Sequence, residues 1–105
     1  MELKIYWTDF SKRELKKIFN YYKEKANLNV AKNLVLGITK ETVKLKKQPG
    51  IGQEEELLEN DSRDFRYLVH KNYKIIYWIN TEKNTIEIFD VFDTRQNPKK
   101  IKRNK

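Results

Sequence analysis

Polar and apolar residues alternate at the start of the chain, with Leu3, Ile5 and Trp7 set against Lys4 and Tyr6. A period of two over so short a run predicts a strand. From residue 11 the period changes. "SKRE" has the form of a capping box, with Ser11 at the N-cap and Glu14 following. Leu15, Ile18, Phe19, Tyr22 and Ala26 then recur at helical spacing and make one apolar face. The chain turns at "NLN", where Asn29 can cap a second helix with the stripe Ala31, Leu34, Val35, Ile38 and Leu45. Gly37 weakens that helix by about 1 kcal/mol relative to alanine, which points to a close approach of the helices there. Lys44, Lys46 and Lys47 suit the negative end of the helix dipole, and Pro49-Gly50 stops the helix.

After an acidic loop, "GIGQEEELLENDS", three β-rich runs follow at 65–70, 73–79 and 85–92, the last two joined by "NTEKN". The predicted order is β-α-α-β-β-β. This is an α+β domain, an antiparallel sheet with an antiparallel helical hairpin packed on one face. The other face is expected to stay partly open. Residues 1–97 are read as one domain and 98–105 as a basic C-terminal tail, since "RQNPKKIKRNK" crowds cations at the end.

The run "RDFRYLVHKNYKIIYW" holds the chain's one histidine. Two registers are open to it. A two-residue turn at Lys71-Asn72 pairs His70 with Tyr73, whereas a three-residue loop pairs Val69 with Tyr73. We favour the three-residue loop, because Asn72 suits a left-handed position and Lys-Asn is not a type I′ signal. It puts the aromatics on the helix side and collects Arg66, His70, Lys74 and Trp78 on the other.

Composition sharpens this picture. A chain of 105 residues can bury one modest core without metals or cross-links, and it has no cysteine. The opening "MELKIYW" is too short and polar for a signal peptide, and no apolar run approaches a membrane span, so a cytoplasmic protein without membrane contact is expected. The net charge of +8 suits a phosphate-rich or acidic partner. Arg63, Lys71, Trp78, Lys99 and Lys100 are the candidate contacts for such a partner, cations for charge and tryptophan for stacking.

Cutting RNA without a metal needs a base for the 2′-hydroxyl, an acid for the leaving oxygen and cations for the phosphorane. Histidine is the side chain whose ordinary pKa fits such proton transfer. The candidate catalytic set is therefore His70 with Arg66, Lys74 and Arg95. Asp90 and Asp93 have no spacing that defines a metal site, and no metal or cofactor is expected.

The ordered set of "LKKQPGIG", "FRYLVHKNYKIIYWI" and "IEIFDVFDTRQNP" resembles the RelE/ParE superfamily, toxins of bacterial type II toxin–antitoxin pairs. The resemblance spans residues 3 to about 97 and implies a growth-inhibiting toxin neutralised by a cognate antitoxin, with a hetero-oligomer as one assembly. It offers two targets: DNA gyrase for ParE-like members, and the ribosome with its mRNA for RelE-like ones. In RelE-like toxins catalysis falls on positions that match Arg66, Lys74 and Arg95. A second hairpin lysine of that pattern is Leu68 here, and the late tyrosine falls near Ile101. The long paired helices and the "QPGIG" exit look more like ParE, so the gyrase-directed toxin is the favoured expectation. The mRNA endonuclease stands second and a non-toxic nucleic-acid-binding module third.

Overall fold

A computed structural model describes residues 2–104; Met1, and Lys105 of the expected tail, lie outside the described residues. The elements are β1 (Lys4–Trp7), α1 (Asp9–Lys25), α2 (Leu28–Val43), β2 (Gln53–Glu54), β3 (Arg66–His70), β4 (Tyr73–Asn80) and β5 (Thr85–Asp93). Single 3-10 turns occupy Lys44–Lys46 and Glu56–Leu58, and a longer 3-10 segment runs over Pro98–Asn104. The predicted α+β order holds, with the two-residue β2 added inside the acidic loop.

Both helix starts differ from the expected caps. Thr8 is the N-cap of α1, and its Oγ1 accepts from Ser11 N at 3.2 Å, while Ser11 Oγ donates back to Thr8 O at 2.8 Å. Ser11 therefore lies inside the first turn and is fully buried. Asn27, rather than Asn29, caps α2, with Oδ1 accepting from Val30 N at 2.9 Å. In each case the chain finds a capping side chain earlier, and the first helical turn begins before the apolar stripe does. Ala26 ends α1 as its exposed C-cap and lies outside the apolar face assigned to it.

The sheet order is β1-β5-β4-β3-β2. All pairs are antiparallel except β1 with β5, which run parallel with Ile5 opposite Ile86 and Trp7 opposite Ile88. The hairpin between β3 and β4 has the two-residue turn. His70 pairs with Tyr73 and Val69 with Lys74, so the three-residue register is overturned. Lys71, at φ 54°, supplies the left-handed residue that Asn72 was expected to be. Asn72 instead ties the turn to the end of β5. Its amide donates to Asp93 Oδ1 at 3.0 Å, and its carbonyl accepts from Thr94 N and Oγ1, both at 2.8 Å.

The physical reason for this register is that both faces of the sheet are buried. On the helix side Tyr73, Ile75, Tyr77, Ile86, Ile88 and Val91 pack with Ile18, Leu34, Ile38 and Leu45. On the opposite side Phe65, Ile76, Phe89 and Phe92 pack with Leu58 and Ile101. A central strand buried on both sides reads as a nearly continuous apolar run, as "YKIIYWI" does. A β-bulge serves the second face. Ile76 pairs with Asp90 and Tyr77 with Ile88, which leaves Phe89 as the extra residue and turns both Phe89 and Asp90 away from the helices.

The expected open face is therefore corrected, because the C-terminal segment covers part of it. Pro98–Asn104 lies against β5 and the Glu56–Leu58 turn, and Ile101 is only 1% exposed. None of the described helices is long and apolar enough to cross a membrane.

Candidate functional site

The two-residue turn separates the four candidate catalytic side chains. Arg66 lies opposite Tyr77, and His70 opposite Tyr73, both on the helix side. Lys74 shares the other side with Tyr67 and Trp78. The expectation of one basic face holding Arg66, His70, Lys74 and Trp78 does not survive the register.

Each of these groups has local work. The Arg66 guanidinium donates to Gly52 O at 3.1 Å and Gly50 O at 3.4 Å, and pairs with Asp64 at 3.2 Å. Beside it the buried Tyr77 hydroxyl donates to Pro49 O at 2.7 Å and accepts from Gly52 N at 3.0 Å. Burial raises the Tyr77 phenol pKa. A Cβ at Gly52 would stand 2.5 Å from the Tyr77 hydroxyl, so only glycine fits this crossing. Arg66 and Tyr77 together pin the loop that leaves the helical hairpin.

His70 explains Gly37. A Cβ there would stand 2.4 Å from His70 Nε2, so α2 comes close to a side chain of β3, not to α1. Lys74 Nζ pairs with Glu55 Oε2 at 2.9 Å, and that carboxylate is only 3% exposed. The same ammonium sits 4.2 Å from the centre of the Tyr67 ring. Arg95 forks onto Asp93 with contacts of 2.8 and 3.0 Å, and 60% of its side chain is exposed. The hydrogen bond from Arg95 is the main reason the Asp93 carboxyl is held down at about 2.

The candidate partner contacts are just as dispersed. Arg63 pairs with Asp61 at 2.8 Å and stacks over Phe65 at 4.8 Å and Phe89 at 5.3 Å. It also lies 5.8 Å from the Trp78 ring, which is half-buried under it. Lys71 is exposed at the hairpin turn, and Lys99 and Lys100 are exposed on the C-terminal segment.

A clamp absent from the expected site joins distant parts of the chain. Arg103 reaches Asp90 with contacts of 2.9 and 3.0 Å and Glu14 with one of 3.0 Å, between the rings of Phe10 and Phe92. Asp90 has no exposed surface, and burial pushes its carboxyl up to about 6 even though Arg103 pulls the other way. For Glu14 burial also raises the pKa, but hydrogen bonds from Lys17 and Arg103 outweigh it and leave the group below its ordinary value. The cue for the clamp in the sequence was an arginine two residues after an isoleucine in a basic run, too slight a signal to find it.

Two concavities flank these groups. One of about 360 Å³ has Arg95 and Gln96 at one wall and Lys17, Tyr21 and Tyr73 at others. Burial is the leading cause of the raised Tyr73 phenol pKa. The second, of about 520 Å³, is an apolar groove on the helical hairpin, floored by Trp7, Leu15, Phe19 and Val35 and edged by Lys12 and Lys16. Among the described residues no group of three or more His, Cys, Asp or Glu side chains is placed to hold a metal ion. The site offers paired cations, apolar docking surface and phenols. It does not assemble a histidine with free cations around one point.

Comparison with known proteins agrees with this architecture. The chain is similar in structure to the chromosomal ParDE toxin–antitoxin system of P. aeruginosa, with a TM-score of 0.71 at 15% identity, covering 88% of this chain and 96% of that one. It is also similar to the toxin–antitoxin complex RelBE2 of Mycobacterium tuberculosis, with a TM-score of 0.55 at 17% identity, covering 89% and 92% of the two chains. No curated protein matches significantly in sequence. Residues 5–98 match the profile of the ParE toxin of the type II toxin–antitoxin system parDE, and the chain belongs to that family.

Proposed function

We propose that this chain is the growth-inhibiting toxin of a type II toxin–antitoxin pair, and that it acts by binding DNA gyrase and not by cutting RNA. The observation that carries the second half is the separation of Arg66 from Lys74 on opposite faces of the sheet. Phosphoryl transfer without a metal needs cations converging on one phosphorane. Here Arg66, Lys74 and Arg95 each face a carboxylate of their own. Leu68 packs into the helix-side core and Ile101 into the opposite one, where a ribonuclease of this superfamily would hold polar groups.

A cognate antitoxin is the natural neutralising partner, in keeping with the ParDE and RelBE2 neighbours. The excess of cations suits an acidic partner segment through steering and rim pairing. Both protein and target would then act in the cytoplasm. The mRNA endonuclease remains the second reading, favoured by the cavity in which Arg95 and Lys17 stand near the phenols of Tyr21 and Tyr73.

Inducing the protein in a bacterium separates the two. Gyrase poisoning gives supercoiling defects and a DNA damage response with intact message. Cuts in mRNA at the ribosomal A site, with normal supercoiling, would overturn the proposal. Arg95→Ala sharpens the result: a ribonuclease should lose about 100-fold or more in rate, whereas the gyrase reading leaves toxicity close to that of the unaltered protein.

A further inference from the structure

The run of cations at the C-terminus is held in place. Ile101 is buried in the second core, and Arg103 is locked onto Asp90 and Glu14, so these two residues anchor the segment from within. Lys99, Lys100 and Lys102 are exposed, and none of the three forms an ion pair among the described residues. Arg13 stands near the anchor. Its guanidinium lies 5.9 Å from the Phe10 ring, the same ring that Arg103 approaches at 5.2 Å.

We propose that Pro98–Asn104 is a docked cationic ridge that binds the phosphodiester backbone of nucleic acid through Lys99, Lys100 and Lys102. The make-up of the ridge favours a phosphate backbone over an acidic protein. A protein interface is anchored by apolar or aromatic residues that become desolvated at its centre. The ridge offers none, since its one large apolar side chain, Ile101, is turned inwards. The exposed large apolar and aromatic residues, Tyr6 and Tyr21 among them, all lie outside Pro98–Asn104. Backbone recognition asks only for well-placed cations, and each neutralised phosphate releases condensed counterions. The docking adds pre-organisation: the three ammonium groups ride on an anchored backbone, so less chain entropy is lost on binding than with a free tail. The ridge goes beyond the gyrase reading and does not depend on it.

The test is fluorescence anisotropy of the full-length protein with a labelled DNA duplex and a labelled single-stranded RNA, across a salt series. The comparison variant is Lys99→Gln/Lys100→Gln/Lys102→Gln. These side chains are exposed, so its circular dichroism melt should match that of the parent. We expect binding to duplex DNA to weaken about tenfold or more, and the slope of log K against log salt to shrink by about 2 to 3. An unchanged slope, or no binding by the parent at low salt, would overturn the proposal. Poly-glutamate is the third probe. If it binds as tightly as DNA and loses as much in the triple variant, the ridge recognises acidic chains, and the nucleic-acid assignment fails. Arg103→Gln keeps all three lysines but loosens the anchor. It should weaken binding several-fold with little change of slope, and parent-like affinity would show that docking is irrelevant.

Discussion

The two faces of the sheet are buried in different ways. The helix side is covered by α1 and α2, long amphipathic elements whose apolar stripes meet the strands over many residues. The opposite side is covered by short 3-10 pieces, Glu56–Leu58 and Pro98–Asn104, each contributing one fully buried side chain, Leu58 or Ile101. Such pieces bury too little apolar area to hold themselves down. Polar anchors supplement them: Lys74 on Glu55 on one side, Arg103 on Asp90 on the other. Area secures the first face, and a few charge-assisted contacts secure the second. Near neutral pH the stability of the second face should therefore depend on pH and salt more than that of the first.

The largest effect is expected from truncating matched isoleucines. Ile38→Ala removes a fully buried side chain from the helix side and should cost about 3–5 kcal/mol in urea unfolding. Ile101→Ala removes one of equal burial from the second face. It should cost nearer 2 kcal/mol, because the segment can detach locally while the rest stays folded. Equal losses would mean the two faces unfold as one unit.

The next effect is one of pH. The folded pKa of Asp90, at about 6, lies above its ordinary 3.8, so the folded state holds this proton more tightly than the unfolded one. Its contribution is fully present below pH 3.8 and is lost as pH rises through about 6. At about 1.4 kcal/mol per pH unit the window is worth up to roughly 3 kcal/mol. The parent should therefore gain stability relative to Asp90→Asn when thermal melts are compared from pH 7 down to pH 4. A gap between the two proteins that stays constant with pH would contradict the assignment. Asp93 has the opposite sign. Held down chiefly by Arg95, it contributes stability above its ordinary range that is lost as pH falls through about 2.

The smallest effects concern the caps of α1 and α2, on the helix side. Thr8→Ala and Asn27→Ala should each cost about 1 kcal/mol. Asn29→Ala, two residues past the cap in the first turn of α2 and exposed, should stay within about 0.5 kcal/mol. Parity between Asn27 and Asn29 in chemical denaturation would restore the later cap.

The same contrast explains how far the sequence could be read. The strand at residues 3–7, both helices and the three long strands were legible, because each carries its own period of alternation or helical spacing. β2 was missed because two residues have no period. The caps moved because several serine, threonine and asparagine side chains near each helix start can accept the same hydrogen bond, and only the path of the backbone chooses among them. The candidate site fared worse. Arg66, His70, Lys74 and Arg95 rest on residue type and family resemblance, and the structure scatters them between a loop strut, a glycine contact and two carboxylate pairs. The Arg103 clamp joins residues separated by most of the chain, which no local pattern records.

The sequence by itself determined the longer elements, their order and the excess of positive charge, since all three are local or additive properties. Tertiary structure decided which way the hairpin faces. A strand repeats every two residues, so one residue more or fewer in the turn sends every side chain of its partner to the other side. Only the burial of the second face, completed by a segment from the far end of the chain, fixes that choice. It sets Arg66 against Lys74 and gives the basic C-terminus a fixed place to stand.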